Sequence, residues 1–192
     1  MAQFEAINPE VEVNGQTVLS IVNGLGEMKS MGFRILKRFN IHDPETDNWY
    51  SQQEWLNAFK YFVEKVGPNT LFLIGNSIPE NADFPPDIDS IEKALSSLDI
   101  AYHMNHRLNG KLLFDPANGQ KKEGIGNYIF KNIDDNSAEM ICNNPYPCDF
   151  DMGIIDAVAK KFTHEGSFTK IVHNEGSCRK HGDDSCGYTV SW

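Results

Sequence analysis

Four cysteines, at positions 142, 148, 178 and 186, all lie in the last third of the 192-residue chain. Two of them frame the segment Cys178-Arg179-Lys180-His181-Gly182-Asp183-Asp184-Ser185-Cys186. A polar loop with a glycine at its turn can fold both sulfurs toward one point. Zinc takes four ligands at tetrahedral angles from thiolate, imidazole or carboxylate. Cys178 and Cys186 can supply two. Cys148, in the rigid run Asn144-Pro145-Tyr146-Pro147-Cys148, can supply a third. Glu175, His173 or His181 can supply the fourth. The plainer alternative is four buried free thiols that pack as small hydrophobes. His173 precedes Glu175 by two residues, so on a strand both point to the same side. His173 is then a partner of a metal ligand, a pocket residue or a replacement ligand.

The histidines open a second chemistry. In Ala101-Tyr102-His103-Met104-Asn105-His106, His106 follows Tyr102 by four residues and shares its helical face. His103 lies by the face of Leu95 and Leu98. Either can be an axial haem ligand or a polar contact to a bound small molecule. The plain alternative is a histidine favoured by the negative end of a helix. Phe59, Phe62, Phe72 and Phe84 concentrate in the first half, as an aromatic core or as the lining of an apolar pocket. Gly124-Ile125-Gly126 lacks the lysine-serine ending of a phosphate loop, and no nucleophile elbow is present. Asp134-Asp135, Asp149-x-Asp151 and Asp183-Asp184 read as acidic surface turns.

These residues need elements to position them. Val18, Ile21, Val22, Leu25, Met28, Met31, Ile35 and Leu36 recur at helical steps and predict one helix over 17–39. Ser51-Gln52-Gln53-Glu54 is a capping box that starts a second helix, ended by Gly67-Pro68. A third helix is predicted over 69–78. A fourth, capped by Asp87 or Asp89, carries Ile91, Leu95, Leu98, Tyr102 and His106. Strands are predicted at 112–114, 126–131, 138–143, 170–173 and 188–192, with a helix at 151–162. Helices first and strands later predict an α+β chain, with N-terminal helices on one face of a twisted antiparallel sheet; zinc on the cysteines would make its C-terminal hairpin a zinc-bound one. Residues 1–192 read as one ligand-binding domain, mainly helical over 17–107, with sheet, one helix and the metal site over 110–192.

Asn-Pro-Tyr-Pro-Cys at 144–148, the helix after it, Glu175-x2-Cys178-x7-Cys186 and the terminal Tyr188-x-Val190-x-Trp192 resemble the 4-vinyl reductase domain. That domain belongs to the NO-signalling/Golgi-transport superfamily, with the TRAPP tethering subunits. It is also the sensory domain of phenol- and xylene-responsive activators. The resemblance covers 124–192 by motif and 17–107 by architecture. It implies a structural zinc held by Cys148, Glu175, Cys178 and Cys186. It also implies a pocket between helices and sheet for a small apolar or aromatic molecule. The residues taken to line it are His106, Tyr102, His173, Phe84 and Tyr128. The sensors of that family precede an ATPase and a DNA-binding output. This chain carries neither, which implies a stand-alone sensor that works through a homodimer or a separate output protein. The alternatives are a haem- or porphyrin-binding gas sensor, a tetrapyrrole-handling accessory protein, or a tethering subunit.

Composition narrows the field further. The formal net charge is −10, which argues against nucleic acid and anionic membranes. No run approaches the roughly 18 apolar residues of a membrane span. The first residues show neither the basic nor the apolar region of a secretory signal, so the expected location is the cytoplasm, with reduced cysteines. The absence of a dinucleotide fingerprint argues against an enzyme that reduces its substrate unaided.

Overall fold

A computed structural model describes residues 3–67, 69–164 and 167–192, without the side chains of Ile21 and Asn81. Pro68 and the Ile21 side chain, both used in the sequence reading, lie outside the described residues. The chain opens with β1 (Val11–Asn14). Asn14 caps α1 (Gly15–Gly24), its side-chain oxygen accepting from the Thr17 N–H at 2.9 Å. The single helix expected over 17–39 is two. A 3-10 turn at Gly26–Met28 separates α1 from α2 (Lys29–Arg38). The break falls at Gly26, whose φ of +52° is cheap for glycine and costly for other residues.

β2 (Trp49–Ser51) leads into α3 (Gln52–Val66). Ser51 Oγ accepts from the Glu54 N–H, the cap that the sequence predicts. α4 (Asn69–Ser77) and α5 (Ile91–Met104) follow. Ser90 caps α5 in place of Asp87 or Asp89, because its hydroxyl reaches the Lys93 N–H. α5 stops at Met104, so His106 lies not on the helix but at the start of β3 (His106–Leu108).

Three short strands come next: β4 (Lys111–Leu112), β5 (Phe114–Asp115) and β6 (Gln120–Lys121). The long hairpin β7 (Tyr128–Asp134) and β8 (Ser137–Cys142) precedes α6 (Cys148–Lys161). β9 (Lys170–His173) and β10 (Cys186–Ser191) complete the chain. The protein is α+β with antiparallel sheets. Where the sequence predicts one sheet, there are two of four strands, ordered β2-β1-β3-β4 and β7-β8-β10-β9, and a two-stranded β5-β6. β1 alternates over only four residues and β2 over none, so the sequence predicts neither. Among the described residues, no helix is long and apolar enough to cross a membrane.

The second sheet and α6 position the cysteines. Ala138, Met140 and Cys142 on β8 point inward, as do Cys186, Tyr188 and Val190 on β10. Cys142 and Cys186 sit opposite each other in register. α6 packs against β9 and β10, and α5 against β7.

α6 also crosses α4 at very short range. A Cβ on Gly153 would come within 2.2 Å of the Phe72 carbonyl oxygen, and one on Gly75 within 2.1 Å of that of Phe150. Both obstacles are backbone, so neither can rotate away. Gly153→Ala is therefore expected to cost about 3 kcal/mol by overpacking. Chemical denaturation checks this; a loss under about 1 kcal/mol would mean that the helices part without penalty.

Candidate functional site

Cys148, His173, Cys178 and Cys186 converge. One ligand atom from each lies within 4.8 Å of all the others. Cys148 opens α6. Cys178 precedes a 3-10 turn at Arg179–His181, which Gly182 closes at φ +94°. The Cys178 N–H is held by Asp183 Oδ2 at 2.8 Å. Cys186 starts β10, and His173 ends β9 with its ring edge-on to Tyr188. With Zn–S bonds of about 2.3 Å, tetrahedral sulfurs sit about 3.8 Å apart. Cys148 and Cys178 are 3.8 Å apart, and Cys178 and Cys186 are 3.9 Å apart. Cys148 and Cys186 are closer, at 2.8 Å, within reach of a thiol–thiolate hydrogen bond. That bond pulls the Cys186 thiol down to about 3, with help from Arg179 donors, and the same bond together with burial pushes Cys148 up.

The fourth member is His173, where the resemblance implied Glu175. β9 ends at His173 and the chain turns at Gly176, φ +107°, so the strand alternation assumed for Glu175 no longer applies. Glu175 and His181 are exposed. His173 Nδ1 meets the Asn174 carbonyl at 2.9 Å, and its Nε2 is buried with no partner. Cys142 is buried outside the group, where burial and then Asp151 push its thiol well above the ordinary value.

Arg179 lies beneath the sulfurs with its side chain fully buried. It pairs with Asp151 on α6 and donates to the Asn144 carbonyl, to Asn144 Oδ1 at 2.7 Å and to the Tyr146 carbonyl at 2.9 Å. Asp151 also accepts from the Tyr128 hydroxyl. Burial pushes the Asp151 carboxyl up, while the guanidinium pulls it down. Sequence reading missed both residues. An arginine in a Gly/Asp-rich loop and an aspartate in the first turn of a helix both read as solvated.

The two histidines near the end of α5 differ in what their rings lack. His106 is satisfied at both nitrogens, Nδ1 on the Tyr102 carbonyl and Nε2 on the Tyr146 hydroxyl, each at 2.7 Å. Burial lowers its pKa to about 4. An unfolded imidazole titrates near 6.5, so between these values only the unfolded chain binds the proton. Stability should therefore fall by up to about 3 kcal/mol as pH drops from 6.5 to 4. His106→Gln should flatten that slope in denaturant titrations; an unchanged slope would assign it to other groups.

His103 is fully buried, and its Nδ1 meets the Asp99 carbonyl at 2.8 Å. That carbonyl accepts a hydrogen, which places the ring proton on Nδ1 and leaves the Nε2 lone pair bare. Nε2 is buried with no partner. The Asp99 carboxylate in turn accepts from the Tyr128 N–H at 3.0 Å and from Lys121 Nζ at 2.8 Å. The support under His103 is thus anchored to β7 through Tyr128 and to β6 through Lys121. Asp99 and His103, four apart, were the readable signal for this pair.

Comparison with solved structures decides the fold. A point mutant of the T. tengcongensis H-NOX superposes with a TM-score of 0.63 at 16% identity, covering 93% of this chain and 96% of that one. An oxygen-binding H-NOX domain related to soluble guanylate cyclases, in its oxygen complex, gives 0.61 at 15%, covering 93% and 94%. An S. oneidensis H-NOX protein in the Fe(II)NO ligation state gives 0.59 at 12%, covering 90% and 97%. The fold is that of an H-NOX domain. No protein-family model matches the sequence, and no curated protein does.

The H-NOX likeness corrects the resemblance to the 4-vinyl reductase domain, which no comparison supports. It also corrects the expected small apolar or aromatic ligand and the identification of the chain by zinc, since H-NOX structures with this fold are described with haem, NO and oxygen. Among the described residues, two surface grooves of about 380 and 430 Å³ are lined by polar side chains such as Lys111, Lys122, Glu80 and Lys160. None of His106, Tyr102, His173, Phe84 or Tyr128 lines them. Tyr102 packs against His106 and Tyr128 at 4.6 and 5.4 Å, and Phe84 packs against Phe162.

Proposed function

We propose that this chain is a haem-based gas-sensing domain in which His103 is the axial ligand. The observation that carries the reading is the His103 Nε2: fully buried, without a partner, and given a free lone pair by the bond at Nδ1. Metal-bound histidines characteristically donate their other ring N–H to a carbonyl or carboxylate, which fixes the tautomer and raises basicity. His103 already has that arrangement. His106, satisfied on both nitrogens, does not compete. The H-NOX fold supports the reading, because haem and diatomic gases appear in the descriptions of the superposed proteins. Bound haem would supply an iron centre whose properties its histidine tunes. What the chain supplies is a fixed imidazole, a dry surrounding and a helix tied to the sheet through Asp99 and Tyr128. Titration of the metal-free protein with haem tests this. A Soret band that saturates at one haem per chain and shifts with NO is expected. No saturable band would overturn the reading.

A second reading has its own observation. The three sulfurs and the unpartnered His173 Nε2 form a closed four-donor set of the kind that holds structural zinc. We propose Cys148, His173, Cys178 and Cys186 as a structural metal site beside the haem function, with His173 in the place first given to Glu175. Such a site would tie the start of α6 to the β9–β10 connection. Elemental analysis of protein never exposed to chelator tests it: stoichiometric zinc supports the site, and none removes it.

A further inference from the structure

We propose that Arg179 is the positioning residue of the Cys148–His173–Cys178–Cys186 metal site, a reading that rests on the proposal that these four hold a metal. The residue is unusual in how its donors are distributed. Its backbone N–H reaches Cys186 Sγ at 3.3 Å, and its Nε reaches the same sulfur at 3.5 Å. One residue thus places two donors on one thiol. The rest of the guanidinium goes to Asn144 and Tyr146 in the loop before Cys148, and to Asp151 one turn into α6. The planar fork therefore spans the two segments that must meet for the site to exist: the 144–148 loop with Cys148, and the 178–186 loop with Cys178 and Cys186.

The charge also has a direction. Three thiolates on a divalent metal leave a net negative centre, and N–H donors to a metal-bound sulfur stabilise it. Arg179 is fully buried beside that sulfur, and Asp151 balances its charge on the far side. Lysine cannot reproduce this. Its point-charge ammonium lacks the fork that serves Cys186, Asn144, Tyr146 and Asp151 together.

The probes are Zn(II) and Co(II) bound to the full chain. Arg179→Lys is one variant. Asp151→Asn combined with Arg179→Gln is the second, because it removes both buried charges and leaves neither unpaired. Wild-type protein should give intense thiolate-to-cobalt absorption. Both variants, folded by circular dichroism, should shift that absorption and release zinc to a competing chelator roughly 10–100 times faster. A residue that merely filled the core would leave the cobalt spectrum unmoved. Wild-type absorption and release rates in both variants would overturn the role of Arg179 and leave the metal site standing. Wild-type protein that shows no thiolate–cobalt absorption would overturn the metal site, and this inference with it.

Discussion

His103→Gly should lose haem affinity by more than the roughly 10–100-fold that removal of an outer partner of a metal ligand costs. His106→Gln should stay within about threefold of wild type. The contrast follows from the two rings. His106 gives one nitrogen to the Tyr102 carbonyl and the other to the Tyr146 hydroxyl, so no lone pair is left to give. His103 uses only Nδ1 and buries Nε2 with nothing opposite it. A buried, unpaired polar atom costs about 1–3 kcal/mol, a cost that a bound metal centre would offset. The measurement is haem titration followed at the Soret band. Equal losses in both variants would mean that the shared end of α5, and not the His103 ring, sets affinity.

The second large effect is at the thiol cluster. Cys148→Ser and His173→Ala should each reduce retained zinc from stoichiometric to a small fraction, because each removes one of four donors. Cys142→Ser and Glu175→Gln should leave it unchanged. Cys142 sits outside the group although it faces Cys186 across the sheet, and Glu175 lies exposed beyond the end of β9. Metal per chain after gel filtration reads all four variants. Loss of zinc in Glu175→Gln with retention in His173→Ala would restore the carboxylate as the fourth ligand. Because structural metal contributes directly to folding, the first two variants should also melt at lower temperature.

How much of this was readable in the sequence depends on the range of the forces involved. The Ser51 cap, the helix through Trp55, Phe59 and Phe62, and the strands at β8 and β9 follow from local pattern, and the structure has them. The break at Gly26 had a signal in Gly24 and Gly26, which weaken a helix, but the apolar period that runs through them outweighed it. β1 and β2 escaped because runs of three or four residues, even with the alternation of Val11-Glu12-Val13-Asn14, are too short to count as strands until pairing with each other and with β3 makes them so. The convergence of Cys148, Cys178 and Cys186 was visible from residue type and loop chemistry. The choice of His173 over Glu175 was not, since it turns on where β9 ends. Extending the fourth helix to His106 placed on its face a histidine that in fact begins β3. The true end at Met104 leaves His103 inside and sends His106 into a strand. Arg179 and Asp151 were invisible because burial of a charged pair is set by packing between distant segments.

One measurement bears most directly on the central claim. The His103→Gly variant is loaded with haem, and its absorption spectrum is recorded with and without added imidazole. Imidazole fits the space that the deleted ring leaves. The account predicts a variant spectrum unlike wild type that returns to it as imidazole is added. A His103→Gly spectrum already identical to wild type, and indifferent to imidazole, would contradict it.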